Sequence, residues 1–328
     1  MTEAHPAPDL DIAQASQLAV AIRTEIGRAV LGQEDVVDHV VAAFLAGGHV
    51  LLEGVPGLGK TLLVLALART VGGTFSRVQF TPDLMPSDVT GHTLLDQQTG
   101  SFVVRRGPVF ANLLLADEIN RAPAKTQAAL LEVMQEQQVT IEGDSFPLAP
   151  PFMTLATQNP IEQEGTYPLP EAQLDRFLLK VRIQHPPESV ELDIVRNVTL
   201  GRVGDKLDVN AVKPVVDLAG ARALQQATAR VTVDDRVISY AVRIARSTRS
   251  WQGLAVGSGP RGGIALVRAA RGVALLEGRD FVTPDDIKHV GLPALRHRVA
   301  VAPELEVEGL DADDVIRSIL QSVEAPRQ

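Results

Sequence analysis

A chain of 328 residues, 45% hydrophobic but only 4% aromatic, can build a substantial core from aliphatic side chains and alanine, and its length suggests about two domains. It contains no cysteine, which excludes disulfides, thiolate metal sites and thiol nucleophiles. A formal charge of −9 argues against a nucleic-acid groove as the main function, without excluding a local basic patch.

Residues 1–10 carry Pro, Ala and acids and read as a loose arm, with neither the basic nor the apolar region of a signal peptide. No apolar stretch is long enough to span a membrane, so a cytoplasmic protein is the expectation. From Asp11 to Val30, apolar residues Ile12, Leu18, Ile22, Ile26 and Val30 recur at near-helical spacing. Residues 33–46 repeat the pattern until Gly47-Gly48 stops it. His49 to Glu53 reads as a short buried parallel strand, 61–71 as a Leu- and Ala-rich helix, and 75–80 as a second strand. A β-hairpin is expected near 93–104, around Gln97 to Gly100, and another at 138–151, with Gly143-Asp144 at its turn. Between them lie a strand at 112–116 and a helix at 125–137; strands at 152–157 and 178–183 follow.

Strands alternating with helices predict an α/β fold with a parallel sheet flanked by helices. Past His185-Pro186-Pro187 the pattern turns helical, with little convincing strand. Helices are expected at 233–250 and 260–277. A third opens at Thr283, with Pro284 at its first position and Asp285 and Asp286 in its first turn. This puts the nucleotide-sized α/β unit at 11–186 and an all-helical domain at 187–328.

The chemistry concentrates at the strand ends. Gly54-Val-Pro56-Gly57-Leu58-Gly59-Lys60-Thr61 satisfies every required position of G-x-x-x-x-G-K-[ST]. Glycines let backbone N–H groups converge on phosphate oxygens, and the next helix, through Leu62, offers its positive end. Lys60 suits the β- and γ-phosphates, and the Thr61 hydroxyl suits Mg²⁺. A Gly-rich turn matching by chance is the bland alternative, and the strand before and helix after argue against it. The apolar run Leu113 to Ala116 ends in Asp117-Glu118. In a parallel sheet it can end beside the phosphate loop, Asp117 holding Mg²⁺ and Glu118 polarising the attacking water. Asn159 follows another apolar strand and suits the γ-phosphate or the water, although an Asn before Pro160 is equally a turn former. Arg176 can supply charge from a neighbouring subunit; a surface ion pair with Asp175 or Glu171 explains it as well.

These motifs, with Val30-Leu-Gly32-Gln33, residues 79–91, 105–136 and 156–180, and the GSGPRGG stretch at 257–263, resemble the MoxR family of AAA+ ATPases over nearly the whole chain. The resemblance implies a five-stranded AAA+ core with a helical lid, and hydrolysis of ATP with Mg²⁺. It implies Asp117 and Glu118 as Walker B, Asn159 as sensor 1, Arg176 as an arginine finger acting in trans and Arg261 as sensor 2. It places Gly32 and Gln33 near the adenine and Arg121 in a hallmark stretch facing a neighbour. The two hairpins, near 92–104 and 138–150, become inserts facing the pore or the client. The implied partners are further copies in a hexameric ring and client proteins, often with a von Willebrand factor A domain. One departure stands out: the family usually has Ala after the sensor 2 arginine, and here Gly262 follows Arg261. A nucleotide-gated scaffold with little turnover, a nucleic-acid motor, a chelatase-type subunit and a P-loop kinase remain the alternatives.

Overall fold

The structure, a computed structural model, describes residues 9–98, 100–160, 167–200 and 207–326. Most of the expected N-terminal arm and residues 161–166 of the family-like 156–180 stretch therefore lie outside the described residues. The centre is a five-stranded sheet of β1 (Val50–Glu53), β2 (Phe75–Gln79), β3 (Leu113–Asp117), β4 (Met153–Gln158) and β5 (Leu179–Arg182), in the order β2-β3-β4-β1-β5. All four pairings are parallel, as the βα alternation predicts.

Strand alternation explains why both faces are covered. Val50, Leu52, Leu113, Leu115 and Leu155 point to one side, where α1 (Ile12–Gly27), α2 (Glu34–Leu45), α3 (Lys60–Thr70) and much of the C-terminal half join a single core. Leu51, Leu114, Ala116 and Ala156 point to the other, against Leu130, Leu131 and Met134 of α4 (Ala124–Glu136). The hairpins form outside the sheet, as Gly91–Leu95 with Phe102–Arg106 and as Gln138–Ile141 with Asp144–Pro147.

After β5 the chain continues as α5 (Glu188–Thr199), α6 (Leu218–Arg230), α7 (Asp235–Ser247), α8 (Pro260–Leu276) and α9 (Ala312–Ser322), with shorter helices between. The sequence did not foresee a small two-stranded sheet here, Leu254–Val256 with Ala300–Val301; strands this short carry no readable period. The Thr283 capping box forms, its hydroxyl accepting from Asp286 N. Gly262 also packs closely. A Cβ there would sit 2.1 Å from Ser258 Oγ and 3.0 Å from Leu295 Cδ2, so an alanine at this position requires the Ser258 hydroxyl to turn away.

His49, fully enclosed before β1, accepts from Thr154 N at its Nδ1 (2.9 Å) and has Nε2 3.1 Å from Met134 O, which fixes the neutral Nε2–H tautomer. Burial pulls its pKa down to about 4. An unfolded His titrates near ~6.5. Folding stability is therefore complete above that pH and declines as pH falls toward about 4, because the unfolded chain takes up a proton that the native ring refuses. The loss from this residue amounts to about 3 kcal/mol. Urea unfolding from pH 7.5 to 4.5 should show it, and His49→Gln, which can still donate and accept, should flatten the curve; equal slopes in both proteins refute the assignment.

Candidate nucleotide site

Where β1 ends, the phosphate loop turns back on itself through Gly57 (φ +86°) and Gly59 (φ +78°), conformations that only glycine adopts without strain. A Cβ at either would meet nothing within 4 Å, so the space above the loop is open. Helix α3 then starts at Lys60 with its first N–H groups facing that space. The Lys60 ammonium is buried and donates to Gly54 O at 2.6 Å. Burial lowers its pKa, and the nearby charges of Asp117 and Glu118 work in the opposite direction.

Parallel pairing brings the other groups to the same edge. Glu53 lies opposite Gln158, and Gln79 opposite Asp117. A cavity of about 610 Å³ results, lined at its polar end by Pro56 to Leu62, Asp117, Glu118 and Asn159. Its other end is formed by Val30, Leu31, Gln33, Pro186 and apolar side chains of α5, Ile194 and Val198. Volume and lining suit a purine nucleotide with a triphosphate. Gln33 donates to Gln184 O at 2.8 Å. Gly32 backs this wall against α5, where a Cβ would come within 2.6 Å of Val190 Cγ1.

The two acids are held in different ways. Asp117 accepts from the Thr157 hydroxyl at 2.6 Å and pairs with Arg77 at 2.6 Å. Glu118 adopts a left-handed backbone (φ 55°, ψ 50°), costing about 1–3 kcal/mol of strain, and such strain gathers at functional sites. Its N–H donates to the same Thr157 hydroxyl at 2.8 Å, and its carboxylate takes Gln79 Nε2 at 2.7 Å and Arg121 Nε at 3.2 Å. Arg121 thus pairs with Glu118 of its own chain.

Magnesium fits this donor set. Thr61 and Asp117 are hard oxygen donors beside the phosphate space, and the ion normally takes one or two protein ligands plus phosphates and water.

Arg176 and Arg261 lie elsewhere. They line a second cavity with Gly47 to His49, Asp175, Arg268 and Arg298. This cavity adjoins the start of β1, whereas the phosphate loop leaves its end; the four residues of β1 separate them by about 13 Å. Arg176 does not pair with Asp175 or Glu171. It donates to Leu131 O at 2.6 Å, while the Asp175 carboxylate faces Arg298 at 2.7 Å and Arg261 at 3.6 Å.

Sequence reasoning missed Thr157, Arg77 and Gln79. The sequence offered little for Thr157: it is one of two threonines in a mostly apolar strand, and only the structure, which buries both, separates its role from that of Thr154. Thr157→Val keeps the shape and orphans the Glu118 N–H, costing about 1–3 kcal/mol. It should also weaken the magnesium-dependent part of nucleotide binding, leaving binding in EDTA unchanged, as read by a fluorescent ATP analogue. Equal binding with magnesium in variant and wild type refutes a role for this hydroxyl.

Residues 49–179 match the family described as ATPases associated with various cellular activities (AAA), and residues 246–319 match the AAA lid domain. Chaperone MoxR1 of Mycobacterium tuberculosis is 42% identical over 99% of this chain and 88% of its own. YeaC of Bacillus subtilis is 46% identical over 92% and 93%. A solved structure described as a candidate ATPase from Cytophaga hutchinsonii superposes with a TM-score of 0.88 at 40% identity, covering 95% of this chain and 96% of that one. With this sheet order, this loop and relatives matched almost from end to end, the chain belongs to the MoxR family of AAA ATPases.

Proposed function

We propose that the protein hydrolyses ATP with magnesium at sites completed by neighbouring copies of itself, and uses the cycle to remodel partner proteins. One observation carries the reading: the phosphate-binding and water-activating groups share one edge of the sheet, and the arginines suited to transition-state charge sit at the other.

In this reading the amides of residues 57–62 and the Lys60 ammonium bind the β- and γ-phosphates. Thr61 and Asp117 would hold magnesium, whose charge offsets that of the phosphates. Glu118 must leave Gln79 and Arg121 to orient the attacking water and accept its proton. Asn159 steadies the water or the γ-phosphate. Arg176 and Arg261 reach the γ-phosphate of the next copy, because their own is beyond their span. The adenine rests between residues 30–33 and α5, so nucleotide exchange is felt by the helical domain that starts there.

Family membership supports a chaperone-like role, with a ring of six and a von Willebrand factor A domain client as its specific form. The hairpin at 91–106 supports client contact, because Phe102 is 74% exposed and Leu95 56%. Among the described residues no helix is long and apolar enough to cross a membrane, and action in the cytoplasm is part of the proposal. The net charge of −9 leaves nucleic acid the weaker choice of client.

Glu118→Gln should bind ATP normally and release phosphate about 10²–10⁴-fold more slowly. Equal rates, with contaminating ATPases excluded, would reject Glu118 as the base. Arg176→Ala should likewise keep ATP affinity and lose about 10³-fold or more in turnover. Wild-type turnover per chain should climb with protein concentration; a flat dependence down to the monomer would reject sites shared between copies.

A further inference from the structure

The stretch carrying Arg176 is gripped from the helical half of the molecule. Arg298, its side chain only 4% exposed, donates from Nε to Asp175 Oδ1 at 2.7 Å. Its Nη2 donates to Phe177 O at 2.7 Å and Asp175 O at 3.3 Å, and its Nη1 to Leu178 O at 3.2 Å and to Ala294 O. His297, made neutral by burial and by the neighbouring Arg298 charge, lies with Nε2 3.1 Å from Phe177 O. One guanidinium thus engages the carbonyls on both sides of Arg176. It also engages the Asp175 carboxylate, whose other oxygen is 3.6 Å from Arg261.

Attachment alone does not call for this arrangement. Phe177 and Leu178 are buried and already anchor the stretch by apolar packing, whereas burying a guanidinium is costly. What the planar fork adds is a fixed backbone orientation over consecutive peptides, which apolar contacts do not set.

We propose that Arg298 is a positioning residue for ATP hydrolysis in the neighbouring copy. It locks the backbone from which Arg176 projects and, through Asp175, ties that stretch to Arg261 and to the helical domain. This rests on Arg176 acting across the subunit interface.

The test is steady-state phosphate release by Arg298→Lys and Arg298→Ala, alone and mixed with excess Glu118→Gln chains. Lysine keeps a charge for Asp175 but lacks the fork, so this variant protects the measurement should the alanine variant misfold. Arg298→Lys should lose about 10-fold or more in kcat with KM for ATP within about twofold, as expected for a misaligned group absent from ground-state binding. In the mixture, Glu118→Gln chains contribute only their slow residual rate, measured alone and subtracted, but lend an intact Arg176 to Arg298→Lys sites, whose turnover should recover most of the loss. Unchanged kcat overturns the proposal, and so does a loss that Glu118→Gln chains fail to rescue, since the defect then lies in the variant's own site. Arg176→Ala mixed in the same way separates the two ideas. Its failure to recover rejects action across the interface altogether, whereas its recovery without that of Arg298→Lys rejects only the role of Arg298.

Discussion

Everything at the nucleotide site depends on parallel pairing in register between β1, β3 and β4. That pairing sets Glu53 beside Gln158 and Ala116 beside Ala156, so three strands that end in polar groups end together. Parallel strands buried on both faces are made of Leu, Val and Ala because both sides need covering, and their polar residues collect where the strands stop. The site is the edge at which burial runs out, next to a glycine-bearing loop that faces open space. No cavity had to be carved into the core to make it.

Thr157 is the least conspicuous part of that edge and the most connected. One hydroxyl donates to Asp117 and accepts from the Glu118 amide, tying two adjacent acids to a single point on β4. Arg77 and Gln79, one strand away on β2, take the carboxylates that these bonds leave available. The acids are thereby balanced by protein cations and an amide donor, so the pair is tolerated next to Lys60 before any substrate supplies its own charges.

The parts readable from the chain were those whose meaning is local. The phosphate loop is eight consecutive residues whose glycines declare their geometry, and the acids close an apolar run whose period gives their orientation. Limits of the five central strands fell within a residue because short apolar runs stop at polar residues or Gly, whereas the hairpin expected at 138–151 ends at Pro147. The supporting contacts were hidden because they join residues far apart: Thr157 meets Asp117 across 40 positions, and Arg298 meets Asp175 across 123. Arg176 illustrates the middle case. Its neighbours in sequence suggested an ion pair, and only the fold reveals that Asp175 is already engaged by arginines from a distant segment. Helix α5 escaped for another reason: none of its residues is buried, so its apolar side chains line a cavity and an open surface more than a core.

If Arg176 and Arg261 serve the nucleotide of the next copy, as proposed, the separation of the two cavities along β1 has a geometric consequence for assembly. A molecule that receives at one edge of its sheet and gives at the opposite edge joins its neighbour head to tail, through two different patches, and a two-fold pair cannot use both. Any open row of such molecules leaves one nucleotide without an arginine at one end and one arginine pair without a nucleotide at the other. Closing the row removes both orphans at once, so the proposed sharing of sites favours a circle over a filament, and the tilt between successive molecules decides how many complete it.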